Sequence, residues 1–526
     1  MGEYALLYIL FAPFAGALAL IFVSNRQPML VRGIAAGAAF VSLIASLYLF
    51  YAYDPVRGGF QFIQRFEWSR QLGISLYLGV DGIGTPLVLA SSILLFAGIF
   101  VSWHIKDRTK EFYIWLLILA AATIGVFMSL NLFFLYFFYE MSVIPMYLLL
   151  GVWGSHTKKY LEMRDPEGLK QRDSVGFILN FASNSKEYAA MKLVLFLSAF
   201  AVVALMGILL IYKYSGLNTF DILVLREQAK LMNIPVLGTT LDKIIWMLIF
   251  FGFASIAPLW PLHSWSPVGH AAAPAATSML HAGVLMKLGA YGVIRVAMGL
   301  LPEATAYWAP LIGTIATINV VYGALSAMAQ TDLKYVVAYS SVSHMGLVLL
   351  GAATLTQPGL NGAVFQMFAH GIMTGLFFAL VGLIYEKSHT REIGKMGGFG
   401  RRMPGVAAAF TLGALSSLGL PGLSGFVAEI LTFLGAWQSA SPWWLFPAVA
   451  GTFLTAVYVL RVTKQIFWGP LGAGEHAALP DAEGPEWVSL VFLSAILILF
   501  GLIPALALSP VDPATVSLLD RLGVLP

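Results

Sequence analysis

The sequence predicts an all-α polytopic membrane protein with about fourteen transmembrane helices. Three observations point there. Only 11% of the 526 residues are charged and 59% are hydrophobic, whereas soluble domains carry roughly 25% charged residues. Apolar windows of about 20 residues, the length that crosses a ~30 Å hydrocarbon core, recur along the chain. Alternation of apolar and polar residues in strand-like runs is absent, which argues against a barrel.

In chain order the windows fall near 4–24, 30–52, 84–104, 112–130, 131–153, 189–212, 244–262, 275–299, 306–329, 333–354, 361–385, 404–435 (interrupted), 443–468 and 486–508. The first lacks the basic flank and small-residue cleavage site of a signal peptide, so it reads as a helix. Residues 154–188 read as an amphiphilic loop, 214–242 has room for a short helix, and 509–526 is too short to fold alone. Loops after odd-numbered windows hold about 19 Lys and Arg, including Lys106, Lys158, Arg391 and Arg401, against about 9 on the other side. The positive-inside rule then places both termini on the outer face.

Two windows are interrupted: FGFASIAPLWPLHSW by Pro258 and Pro261, and SSLGLPGLSGFVAEI by Pro421, Gly422 and Gly425. Breaks at membrane depth are tolerated where protein or water satisfies the freed backbone groups. Paired breaks also mark ion sites in transporters built from inverted repeats. These lie near spans 7 and 12, so spans 4–8 and 9–13 are expected to form two inverted five-helix repeats. The expected organisation is 1–110 for the first three helices, 111–300 and 301–470 for the two repeats, and 471–526 for a last helix and tail.

Charged residues read as lying inside the membrane core, as opposed to nearer the window ends, are Glu140, Lys192, Lys287 and Glu429, with Lys334 near a helix start beside Asp332. Each costs about 2.5–3.5 kcal/mol on insertion scales, so all are expected to face the bundle interior with partners or water. Burial opposes charge and a nearby opposite charge restores it, so a small change in distance or hydration moves a proton. His281, His344 and His370 thread the same windows, and imidazole passes a proton between its two nitrogens. A polar residue also serves simply to join two helices, and Lys334 has the length to snorkel to the surface. His263 and His270, seven apart with no cysteine or nearby acid, make a poor zinc pair.

The chain has no cysteine, which removes disulfides, thiolate iron–sulfur ligation and a thiol nucleophile. It has no Walker A run and no GxGxxG opening a helix, so no cofactor or metal is expected in this chain. A net charge of +4 on scattered basic residues does not suggest nucleic acid.

The runs FFYEMSVIPMYLL, AAMKLVLF, PLHSWSPVGHAAAPAATSMLHAGVLMKLGAYGVIR, MAQTDLKYVVAYSSVSHMGLVLLGA, QMFAHGIMTGLFFALVGLIYEKSHTREI and LGLPGLSGFVAEILTFLGAW resemble the antiporter-like subunits of respiratory complex I, NADH:quinone oxidoreductase, above all the subunit M type. The motifs run in matching order from about residue 80 to 440; the ends resemble the family only in hydropathy. The resemblance implies proton-transfer roles for Glu140, Lys192, Lys287, His344, His370 and Glu429, with Asp332 and Lys334 in a DLK turn and His281 beside the axis. It implies uptake from the basic-loop side past Glu140 toward Lys287, then passage through His344 and His370 to Glu429 and the outer face.

It also implies that FMN, iron–sulfur clusters and quinone belong to partner subunits. The neighbours would be L- and N-type antiporter-like subunits and small membrane subunits, in a bacterial inner membrane or a thylakoid. Mrp-type Na⁺/H⁺ antiporter subunits and the membrane subunit of energy-converting hydrogenases share this ancestry and remain alternatives. One departure stands out. The family's broken seventh helix carries a lysine two residues before its first proline, paired with the span-five glutamate; here that position is Ile256. Val268 and Ala272 replace acids of the following loop, and His281 takes a position usually apolar. Lys192, or His281 with Lys287, is expected to supply the missing positive charge, and Pro145 to bend the helix bearing Glu140.

Overall fold

The computed structural model describes residues 2, 4–155, 185–228, 235–236, 239–470 and 479–524. Its helices are α1 (Ala5–Ile21), α2 (Pro28–Ala52), α3 (Gly84–Val101), α4 (Thr109–Met128), α5 (Leu132–Trp153), α6 (Lys186–Ser215) and the short α7 (Ile222–Gln228). They continue with α8 (Leu241–Ile256), α9 (Trp265–Ala272), α10 (Ala275–Met298), α11 (Pro302–Met328), α12 (Leu333–Ala353) and α13 (Gln357–Ser388). The series closes with α14 (Pro404–Ser417), α15 (Ser424–Gln438), α16 (Leu445–Thr463), α17 (Pro485–Leu502) and α18 (Ala505–Arg521).

Among the described residues, eleven helical segments are long and apolar enough to cross a membrane, and the shorter α1 and α14 are also apolar. Every window expected from hydropathy falls on helix. The amphiphilic loop expected at 154–188 lies almost wholly outside the described residues.

Local chemistry sets the helix starts. Asn131, Ser185, Asp332 and Thr356 cap α5, α6, α12 and α13, each side-chain oxygen accepting from a backbone N–H of the first turn. Pro28, Pro302, Pro404 and Pro485 open α2, α11, α14 and α17, where the missing N–H costs nothing. Burial then sorts the helices. α10 is wholly buried and α12 and α13 nearly so, so these three form the centre of the bundle and their polar side chains face protein.

Both expected breaks are present, and each is satisfied locally. After α8 the chain leaves helical geometry at Ala257; Asn319 Oδ1 accepts from the freed N–H of Trp260 at 2.9 Å, and the Trp265 indole donates to the Ser255 carbonyl at 2.9 Å. Between α14 and α15, Gly419 (φ +72°) and Gly422 (φ +93°) take the left-handed backbone that the break requires.

Two features depart from the sequence expectation. Strands were not expected, yet β1 (Gln61–Ser69) and β2 (Ile74–Val80) pair as an antiparallel hairpin. β2 is buried over nearly its whole length although its sequence ISLYLGV alternates, and its turn needs Gly73 at φ +64° because a Cβ would press on the Asn218 carbonyl. The C-terminal tail also folds: α18 docks on α13, where Asp512 Oδ1 accepts from Gln357 at 2.8 Å and Asn361 at 2.6 Å. Its helicity is tertiary, since Pro510 and Pro513 lie inside it.

Candidate functional site

A series of ionisable side chains crosses the buried centre. It starts on α10, where a π-helical turn at His281–Leu285 precedes Lys287; such turns gather at functional sites because they displace the regular hydrogen-bond ladder. Lys287 Nζ donates to the Ala282 carbonyl of that turn and lies 2.6 Å from Nδ1 of His370 on α13. The His370 ring is centred 5.1 Å from that of His344 on α12. His344 Nδ1 is 3.9 Å from Glu429 Oε1 on α15. None of the four residues is more than 4% exposed.

Neutral partners tune the series. The Gln366 amide nitrogen lies 3.0 Å from His344 Nδ1, and His344 Nε2 lies 3.2 Å from the Ser417 hydroxyl. With Gln366 donating, His344 is the Nε2–H tautomer and donates to Ser417. Gln366 Oε1, His370 Nε2 and Glu429 Oε1 are buried without a protein hydrogen-bond partner. Each such group costs about 1–3 kcal/mol, which is recovered when a water or a transferred proton meets it. A flipped Gln366 amide would accept from a protonated His344, so the same residue serves both states of the ring. Glu429 packs against the break between α14 and α15: a Cβ at Gly419 would overlap its Oε2.

The other expected residues stand outside this series. Glu140 on α5 is half-buried, with Tyr136 against its carboxylate and its Oε1 unpartnered. Among the described residues, no basic group lies within ion-pair distance of it. Lys192 on α6 is also half-buried, and its charge reaches His263, whose Nε2 meets Tyr322 Oη at 3.1 Å. The expectation that Lys192, or His281 with Lys287, pairs with Glu140 is therefore not met among the described residues, and Lys287 goes to His370. The reason is directional: His281 turns toward α9, where its ring stacks 3.9 Å from His270 and 5.2 Å from Trp265. Ile256 is fully buried at the end of α8. Pro145 lies inside α5, which continues through it.

Lys334 is buried rather than snorkelled, donating to the Ala273 carbonyl at 2.6 Å. Asp332 caps α12 and meets Arg391 at 3.2 Å. Among the described residues, no group of three or more His, Cys, Asp or Glu could hold a metal, and His263 and His270 go to different partners.

Sequence reasoning missed four contributors. Gln366 lies one turn before His370, an i,i+4 spacing that puts both on one face of α13. Ser417 stands at the break. His270 was weighed only as a zinc ligand. Arg295, near the end of α10, forms a buried 2.5 Å ion pair with Asp81; its place near a window end made it look like a loop residue.

This axis and the two broken helices define a class of polytopic membrane subunit, and comparison with known proteins agrees. Residues 174–455 match the family described as NADH:quinone oxidoreductase/Mrp antiporter, TM. The chain belongs to that family.

Within it, the chain is of the subunit M (chain 4) type. It is 35% identical over 464 residues to an NAD(P)H-quinone oxidoreductase chain 4-2 of Synechocystis sp., covering 87% of this chain and 77% of that one. It is 35% identical over 465 residues to NADH-quinone oxidoreductase subunit M of Rickettsia prowazekii, covering 88% and 87%. A chain of respiratory complex I from Thermus thermophilus superposes with a TM-score of 0.83 at 28% identity, over 98% of this chain and 99% of that one. A chain of the Mrp complex from Dietzia sp. shares the fold, with a TM-score of 0.80 at 19% identity over 99% of both chains.

Proposed function

We propose that this chain carries protons across the membrane as a membrane-arm subunit of an NADH:quinone oxidoreductase complex. Quinone is reduced elsewhere in the assembly and no redox site lies in this chain. FMN, iron–sulfur clusters and quinone are then held by partner subunits, and L- and N-type subunits and small membrane subunits flank it. The observation that carries the reading is the unbroken buried run Lys287, His370, His344, Glu429, whose members touch or lie within one bridging water of each other. A structural bundle has no use for four costly groups placed end to end.

Lys287 hands a proton to His370 at Nδ1; the ring releases one to His344, and Glu429 receives it beside the α14–α15 break. Glu140, half-buried on α5 with an unpartnered oxygen, is placed to answer charge changes in an adjoining subunit. The test is Glu429→Gln in the assembled complex, read as quinone-dependent proton translocation into sealed vesicles. Translocation is expected to fall at least about tenfold, since a positioned proton-transfer group contributes about 10²–10⁴-fold. Unchanged translocation would reject the reading.

An Mrp-type antiporter or a hydrogenase-type membrane subunit would use the same axis. The likeness to the Mrp chain rests on fold at 19% identity, whereas the 35% identical relatives named above are quinone oxidoreductase chains. Dependence of translocation on quinone reduction, rather than on a sodium gradient, separates the two.

A further inference from the structure

A cavity of about 320 Å³ lies beside the centre of the bundle, at the end marked by the basic loops. His104, Ser155, Tyr385, Glu386 and His389 surround it together with Lys334 and Ala273–Ala275, of which Lys334 and Ala273 are buried. At the rim His104 Nδ1 meets Glu386 Oε2 at 3.1 Å, with the two side chains 43% and 37% exposed.

Lys334 uses one of its three N–H donors on the Ala273 carbonyl, at the end of α9. Three residues back on that helix is His270, which lies within electrostatic reach of Lys334, His281 and Lys287. His270 and His281 are both 0% exposed and stack with ring centres 3.9 Å apart. All four of their ring nitrogens lack a hydrogen-bond partner in the protein. Two imidazoles kept for packing alone would be an expensive choice of ring. Two that exchange protons through water at their ring edges need those nitrogens free.

We propose that protons enter this chain through that cavity and reach Lys287 by way of Lys334, His270 and His281, bypassing Glu140. This rests on the proton-translocation reading above and specifies its entrance. Lys334 takes a proton from cavity water and releases one inward. Each imidazole binds a proton at one ring nitrogen and gives up the proton on the other, then returns to its first tautomer. One proton enters for each that leaves, and no other bond changes. His281, apolar by the expectation of its family, then takes up work that the family's lysine at position 256 would share.

Two measurements on the intact complex in sealed vesicles test this. The chain has no native cysteine, so Ser155→Cys and Ala275→Cys report access at two points of the cavity lining. Both are expected to react with a membrane-impermeant maleimide added on the basic-loop side, read by mass on this chain. An Ala275→Cys thiol inert from that side, or labelled only from the other, overturns the proposal.

The second measurement compares Lys334→Met, His270→Phe and His281→Phe with Lys334→Arg. The first three are expected to slow quinone-dependent proton translocation at least about tenfold, and the last to retain most of it. Should a Phe variant fail to assemble, His281→Gln replaces it: its amide hydrogen-bonds water but cannot relay between two ring nitrogens, so slowed translocation supports the route and full speed overturns it. If Glu429→Gln stops translocation while these variants do not, the entrance lies elsewhere and the axis stands. If Glu429→Gln is also without effect, the axis itself fails.

Discussion

Replacing Gly419 by alanine separates the chemistry of the exit from the strain of the break that builds it. Gly419 sits at φ +72° and Gly422 at φ +93°, both in the left-handed region. Adding a Cβ there costs about 1–2 kcal/mol at either position. The surroundings differ. A Cβ at Gly419 would overlap Glu429 Oε2, whereas at Gly422 the nearest atom is Leu502 Cδ2 at 3.9 Å. Gly419→Ala must therefore displace the carboxylate from its place 3.9 Å from His344, while Gly422→Ala leaves it in place.

The two variants should lose similar stability, measured as thermal unfolding of the purified complex. Only Gly419→Ala should slow quinone-dependent proton translocation, by several-fold to about tenfold. Equal translocation in both, at comparable destabilisation, refutes the placement of Glu429 as a transfer group.

Other outcomes follow from the same geometry. Gln366→Leu removes the amide that meets His344 Nδ1 in both ring states and should slow translocation more than it destabilises the chain, whereas Gln366→Asn should do so less; equal rates in all three proteins would remove Gln366 from the axis. Glu140→Gln and Lys192→Met should act independently, with a coupling energy in translocation below about 0.5 kcal/mol, because no ion pair joins them; a coupling above about 1 kcal/mol would restore the pairing expected from sequence. Asp81→Asn leaves the Arg295 guanidinium buried beside a neutral group and should cost about 3–5 kcal/mol, read as loss of assembled complex, with the double change Asp81→Asn and Arg295→Met recovering much of it.

Much of the architecture was legible because a bilayer narrows the choices. Apolar windows and proline interruptions located the helices and both breaks, and the cost of charge in hydrocarbon singled out Glu140, Lys192, Lys287 and Glu429, with His344 and His370 in the same windows. Lys287, His344 and His370 meet because α10, α12 and α13 are buried together at the centre, and α15 brings Glu429 to them. What stayed hidden depended on direction. Sequence gives the depth of Glu140 but not which way α5 turns it, so its pairing was misjudged. His281 was identified as a polar intruder, yet only the folded chain brings His270 onto its ring, from a helix that follows the break at Ala257. β2 escaped notice although Ile74, Leu76, Leu78 and Val80 alternate with Ser75, Tyr77 and Gly79, because so short a run is a weak signal beside long apolar windows, and α18 because its helicity depends on Gln357 and Asn361 of α13.

The most direct measurement is quinone-dependent proton translocation by the assembled complex carrying Lys287→Met. That change removes the group linking the π-helical turn of α10 to His370 while keeping an unbranched side chain of similar length. At full assembly, the rate should drop at least about tenfold, as with Glu429→Gln. A Lys287→Met complex that translocates at the wild-type rate would contradict the account at its centre.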